Sequence, residues 1–166
     1  MLMTEIAGVS ILQIAQRFGT PTYVYDRSMI ERRIKDLAGF PKIRYAQKAN
    51  SNIAILAIMR KNGVLVDATT VGEVYRAMKA GYSAADIVYT SDIFDRPTLE
   101  FVRQHAVGIN AGSPDMISQL GAVSPGRKIT LRINPGFGHG HSQKTNTGGE
   151  GSKHGIWHEE LPKCME

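Results

Sequence analysis

Five short apolar runs recur along the chain at an almost even beat. They are IRYAQK from position 43, VLVDAT from 64, DIVYTS from 86, AVGINA from 106 and KITLRIN from 128, about 21 or 22 residues apart. Each run but the last is followed by a segment with helix signals. Ser51 or Asn52 can cap IAILAIMRKN, and Gly63 can close it in the left-handed region. Gly72 and Glu73 lead EVYRAMKA, which stops at Gly81. Pro97 and Pro114 fall where a first helical turn tolerates proline, behind Asp95 and Ser113 as caps. Short strands joined by such helices pair in parallel, as an open doubly wound sheet or a closed (β/α) barrel. A doubly wound nucleotide-binding sheet usually carries GxGxxG or a P-loop after an early strand, and the first turns here, KANSN and TTVGE, are neither. The even spacing favours the barrel. Eight strands need about 250 residues, so the 166 residues predict an α/β chain forming the N-terminal part of a TIM-like (β/α)8 barrel, with about five of its strands.

Ahead of the beat, residues 1–40 read as a lead-in: a helix from Thr4 to Phe18, a strand at PTYVYD (21–26) and a polar helix from Ser28 to Leu37. Ile6, Ile11, Leu12, Ile14, Ala15 and Phe18 form the apolar side of the first helix. Residues 41–166 read as the incomplete barrel. An apolar content of 42% suits one globular domain. The net charge is +5, but the cations are scattered among acids and the cluster ERRIKD (31–36) is a solvated helix face. Without a basic stripe and interleaved aromatics, a nucleic-acid partner is not expected. Cys164 is the only cysteine, which excludes an intramolecular disulfide or a CxxC zinc site and suits a reducing compartment. The N-terminus has no basic n-region and no apolar run approaches a membrane span, so a cytoplasmic protein without a membrane partner is expected.

Barrel enzymes place their chemistry at the C-terminal ends of the strands. Lys48 occupies such an end. An ammonium is costly to desolvate, so Lys48 is either a snorkelling residue over the barrel mouth or a working amine of lowered pKa. Asp67 and Glu73 flank the next turn, Ser91 and Asp92 the third, and Arg132 with Asn134 the fifth, so polar groups converge on one face. The stretch from Gly136 to Gly155 adds His139, His141 and His154, with His158 beyond. HxH alone is a weak metal signal, and no carboxylate or cysteine joins it at ligand spacing, so no metal is expected. Its glycines fit a mobile loop over the strand ends, where backbone approaches a ligand or a neighbouring subunit.

TPTYVYD, YAQKANSN, VDATTVGEVYRAMKAG and above all LRINPGFGHGHSQKTNTGGEGSKHGIW resemble the pyridoxal-phosphate-dependent diaminopimelate decarboxylases. That family belongs to the group containing alanine racemase and the eukaryotic ornithine decarboxylases. The likeness runs from about Gly19 to Trp157. It implies pyridoxal 5′-phosphate as cofactor, with Lys48 matching the lysine that holds it covalently. It also implies that Asp67 and Glu73 match acidic residues around the cofactor ring, and that Arg132 matches an arginine lining the site. The activity implied is that of a carboxy-lyase of lysine biosynthesis. It would convert meso-diaminopimelate, a small amino acid, to L-lysine and carbon dioxide, as a homodimer in the full-length family. Two other readings stand beside it: a decarboxylase for another basic amino acid, such as ornithine or arginine, or a catalytically silent chain that binds or assembles with a full-length relative. The family's later parts have no counterpart here: a histidine stacked on the ring, a triple-glycine phosphate loop, an EPGR segment and a C-terminal β-domain. Cys164 does not match the family's cysteine motif. The resemblance therefore implies an N-terminal portion that is inactive by itself.

Overall fold

In the computed structural model, which describes residues 3–142 and 145–165, the repeat becomes one parallel sheet. Its strands are β3 (Arg44–Ala46), β4 (Leu65–Ala68), β5 (Ile87–Ser91), β6 (Gly108–Ala111) and β7 (Thr130–Leu131), hydrogen-bonded in sequence order. That order separates the two architectures left open by the sequence, because a doubly wound sheet reverses at a switch point and a barrel does not. Between the strands lie α3 (Ile53–Lys61), α4 (Val71–Lys79), α5 (Arg96–Gln104) and α6 (Pro114–Val123). Three of their caps are candidates the sequence offers, and the fourth, Thr70, is not among them. Asn52 accepts from the Ala54 amide, Thr70 from Glu73, Asp95 from Thr98 and Ser113 from Met116. Gly63 and Gly81 follow α3 and α4 with positive φ.

Side-chain alternation then sorts the sheet into two faces. Val66, Ala68, Ile87, Tyr89, Ile109 and Ala111 point into the helix layer, where they pack with Leu56, Val74, Ala77, Val102, Met116 and Leu120 in one buried core. Full burial of each large apolar side chain contributes about 1.5–3 kcal/mol. Residues of the other phase, Asp67, Thr90, Asn110 and Thr130, share the opposite face. Arg127 secures the underside of α5 and β6, its guanidinium donating to the backbone carbonyls of Val102, His105 and Val107.

The last run, KITLRIN, holds two short strands rather than one. After β7 the chain passes through Arg132 into β8 (Ile133–Asn134), which pairs in parallel with β9 (Ile156–Trp157). Arg132 bridges the two pairings, because its amide donates to Ala111 and its carbonyl accepts from Ile156. A 3-10 turn at His158–Glu160 and α7 (Leu161–Cys164) follow. A two-residue strand lies below the length at which alternation is readable.

The lead-in differs from the sequence expectation in two places. The helix expected from Thr4 is a hairpin followed by a shorter helix. β1 (Glu5–Ile6) pairs antiparallel with β2 (Val9–Ser10), and only Ile11–Phe18 is helical, as α1. Ala7 and Gly8 both adopt positive φ, which is the geometry of a two-residue hairpin turn and breaks the helical period at Ile6. PTYVYD forms no strand: β-prone residues without a pairing partner stay irregular, and Tyr23 is 90% exposed. α2 (Arg27–Lys35) forms as expected, capped by Asp26, which accepts from the Ser28 and Met29 amides. No described helix is long and apolar enough to cross a membrane.

Candidate active site

At the C-terminal ends of the strands, Lys48, Asp67, Thr69, Thr90, Ser91, Asp92, Asn110, Arg132 and His154 line one cavity of about 410 Å3. Lys48 rides in a 3-10 turn (Gln47–Ala49) directly after β3. The turn is pinned by its neighbour: Gln47 is fully buried and donates from Nε2 to the Glu73 carbonyl at 2.8 Å. Lys48 itself is exposed. No hydrogen bond or ion pair engages its ammonium among the described residues.

Asp67 ends a polar ladder that crosses four strands. Thr130 Oγ1 donates toward Asn110 Oδ1 (3.3 Å) and the Ile109 carbonyl (3.0 Å), and Asn110 Nδ2 donates to Thr90 Oγ1 (3.4 Å). Thr90 Oγ1 in turn donates to Asp67 Oδ1 (2.6 Å). The ladder fixes the carboxylate through Oδ1, and Asp67 also lines the cavity.

Glu73 is not part of that lining. Its Oε2 accepts from the amide and hydroxyl of Thr69 at 2.7 and 3.2 Å, so its carboxylate is engaged in shaping the β4–α4 turn. The structure thus brings Lys48, Asp67 and Arg132 together and sets Glu73 behind them.

On the far side of the cavity, Asp92 accepts from His154 Nδ1 at 2.7 Å and faces Arg132 NH1 at 3.9 Å. Its Oδ1 is buried and forms no hydrogen bond among the described residues. Gly112 makes this position possible, because a Cβ there would lie 2.0 Å from Asp92 Oδ1.

The connection from β8 to β9 folds against itself. Asn134, 3% exposed, accepts from the Gly136 and Gly149 amides (3.2 and 2.9 Å) and donates to the Gly149 carbonyl (3.0 Å). A Cβ on Gly148 would lie 2.4 Å from the Phe137 carbonyl oxygen. At this position the close approach expected of the glycines is to the connection's own backbone. Gln143 and Lys144, in the same stretch, lie outside the described residues. Among the described residues no group of three or more His, Cys, Asp or Glu side chains is placed to hold a metal ion.

Thr69, Thr90, Asn110 and Thr130 were not singled out from the sequence. Their signal is a polar residue near the end of an otherwise apolar run, legible only once the register sets them side by side. A second cleft of about 370 Å3 lies between α2 and β3, lined by Met29, Ile30, Ile34, Leu37, Ile43 and Met59 among others. Apart from Arg33 and Arg44 its lining is apolar, so the convergent chemistry is at the strand ends.

Diaminopimelate decarboxylase of Escherichia coli is 52% identical over 98% of this chain and 40% of that protein. The Streptomyces coelicolor enzyme is 50% identical over 95% of the chain and 37% of that protein. This chain therefore spans about two fifths of the length of the curated relatives it matches. Among solved structures, a diaminopimelate decarboxylase superposes with a TM-score of 0.89 at 53% identity, covering 93% of this chain and 38% of that one. The Helicobacter pylori enzyme complexed with L-lysine gives 0.84 at 26% identity, covering 92% and 41%. Residues 27–166 match the family described as pyridoxal-dependent decarboxylase, pyridoxal binding domain, and the chain belongs to that family.

Proposed function

We propose that this chain is the lysine-bearing part of a diaminopimelate decarboxylase, in which Lys48 is the amine that holds pyridoxal 5′-phosphate. The observation that carries the reading is the convergence of Lys48, Asp67 and Arg132 on one cavity. The site fits the cofactor on its own chemistry. A primary amine without a partner among the described residues stands ready for an aldehyde, and the cavity has the size of a small-molecule site. When bound, pyridoxal phosphate supplies the electron sink that lets a carboxylate leave as carbon dioxide.

The chain's own groups do the positioning. Gln47 anchors the turn that presents Lys48. Asp67, oriented by Thr90, contributes a fixed negative charge to the cavity, and Arg132 a positive one. Glu73 acts one step back, through Thr69. Such preset charges cost no reorganisation when charge shifts in the bound molecule. Relatives near 50% identity that are diaminopimelate decarboxylases favour meso-diaminopimelate, with lysine and carbon dioxide as products, over ornithine or arginine. A homodimer for the whole enzyme and a cytoplasmic setting belong to the same proposal. They are supported by the family resemblance and by the single cysteine, Cys164.

Incubating the chain with pyridoxal phosphate, reducing with borohydride and mapping the peptides tests the anchor. The label is expected on Lys48 and absent from Lys48→Ala. Label found chiefly on Lys61, Lys79 or Lys153 overturns the assignment.

A further inference from the structure

His154 sits where the glycine-rich connection returns to β9, and it lines the same cavity as Lys48 and Arg132. Its Nδ1 lies 2.7 Å from Asp92 Oδ2. A carboxylate only accepts, so Nδ1 carries the proton of the neutral ring and Nε2 is left with its lone pair. No described residue hydrogen-bonds Nε2. Asp92 is itself fixed, with Gly112 beneath it and Arg132 beside it. This is the arrangement by which a carboxylate selects the tautomer of a working imidazole.

We propose that His154 is a specificity-determining residue whose Nε2 accepts a hydrogen bond from an ammonium group of the substrate, with Asp92 as the positioning residue that fixes the ring. The proposal rests on the reading of this cavity as the substrate site and deepens it. The charged groups that share the cavity are Lys48, Asp67, Asp92 and Arg132. The two carboxylates make the rim hospitable to a cation, while Arg132 offers a partner for a carboxylate on the same ligand. A zwitterionic amino-acid end satisfies both. The ligand class is therefore an amino acid with a second charged end, rather than a simple monoamine.

Nitrogen-15 NMR of the histidine side chains, at a pH where imidazole is neutral, reads the tautomer directly. In the free chain His154 should carry its proton on Nδ1, and Asp92→Asn should abolish that preference while keeping the shape of the site. Adding meso-diaminopimelate should move the Nε2 resonance, a response that a purely structural histidine would not give. His154→Leu should weaken meso-diaminopimelate binding about tenfold or more, the effect of losing a hydrogen bond to a charged group. His154→Gln, which restores an acceptor, should recover most of the binding. A proton on Nε2 in the free chain, an Nε2 resonance indifferent to the ligand, or undiminished binding by His154→Leu each overturns the proposal. Borohydride labelling of Lys48 is scored separately: labelling with an indifferent His154 rejects this inference alone, whereas no labelling rejects the cofactor reading itself.

Discussion

α1 in the lead-in and α3 in the repeat both carry apolar side chains, yet only α3 has buried ones. α1 shows a continuous apolar stripe through Ile11, Leu12, Ile14 and Phe18, but Leu12 is 74% exposed and Phe18 68%. α3 has no cleaner pattern, and Leu56 within it is fully buried. An amphipathic period states that a helix has a face. It does not state what covers that face. In the repeat the cover is built in, because every helix is tied by a short turn to a strand on each side.

That contrast can be broken most directly in the core. Leu56→Ala should cost about 2–5 kcal/mol by leaving a cavity between α3 and the sheet. Leu12→Ala should change stability by no more than about 0.5 kcal/mol. Urea titrations of both variants decide the matter, and equal losses would mean that the lead-in is as tightly packed as the repeat.

A smaller effect tests to which region the β8–β9 connection belongs. Asn134→Ala removes three hydrogen bonds and should cost about 1–3 kcal/mol. The loss should appear as faster hydrogen exchange at the Gly136 and Gly149 amides. Unchanged exchange there would place the ordering of the connection elsewhere.

The smallest effect is confined to alkaline pH. Tyr82 is buried and donates to the Val64 carbonyl at 2.8 Å, and burial pushes its phenol up to about 12. Folding thus favours the neutral phenol. Its contribution is intact below the ordinary tyrosine value near 10 and is lost as pH rises from about 10 to about 12. Tyr82→Phe should cost about 1 kcal/mol at neutral pH and flatten this alkaline decline. Tyr45 and Tyr89, also raised by burial, should preserve part of it.

The repeat was legible because each of its signals has a local cause. Apolar runs mark strands that pack against helices, and Asn52, Asp95 and Ser113 cap where they stand in sequence. Lys48, Asp67 and Arg132 stand out through motif resemblance, and the structure places all three on one cavity. Glu73 was found by the same route, but the engagement of its carboxylate by Thr69 depends on side-chain geometry. The ladder from Thr130 to Asp67 needed the register of four strands. The Thr4–Ile6 segment misled because a hairpin turn at Ala7-Gly8 can sit inside an unbroken run of helix-compatible residues. β9 was missed because two residues, Ile156 and Trp157, carry too little pattern.

Asn134 has a consequence for how this chain can change. By gripping the backbone at both Gly136 and Gly149, one side chain closes the excursion between them and shields β8 and β9 from its length. Loop-closure entropy grows slowly, by about 0.6 kcal/mol for each doubling of length. Gly138, Gly140 and Gly148 pack closely within the excursion, so the exposed tip at His141 and Ser142 is where material can be inserted at little thermodynamic cost. A reporter peptide or a graft placed there would leave the strands that line the cavity in register.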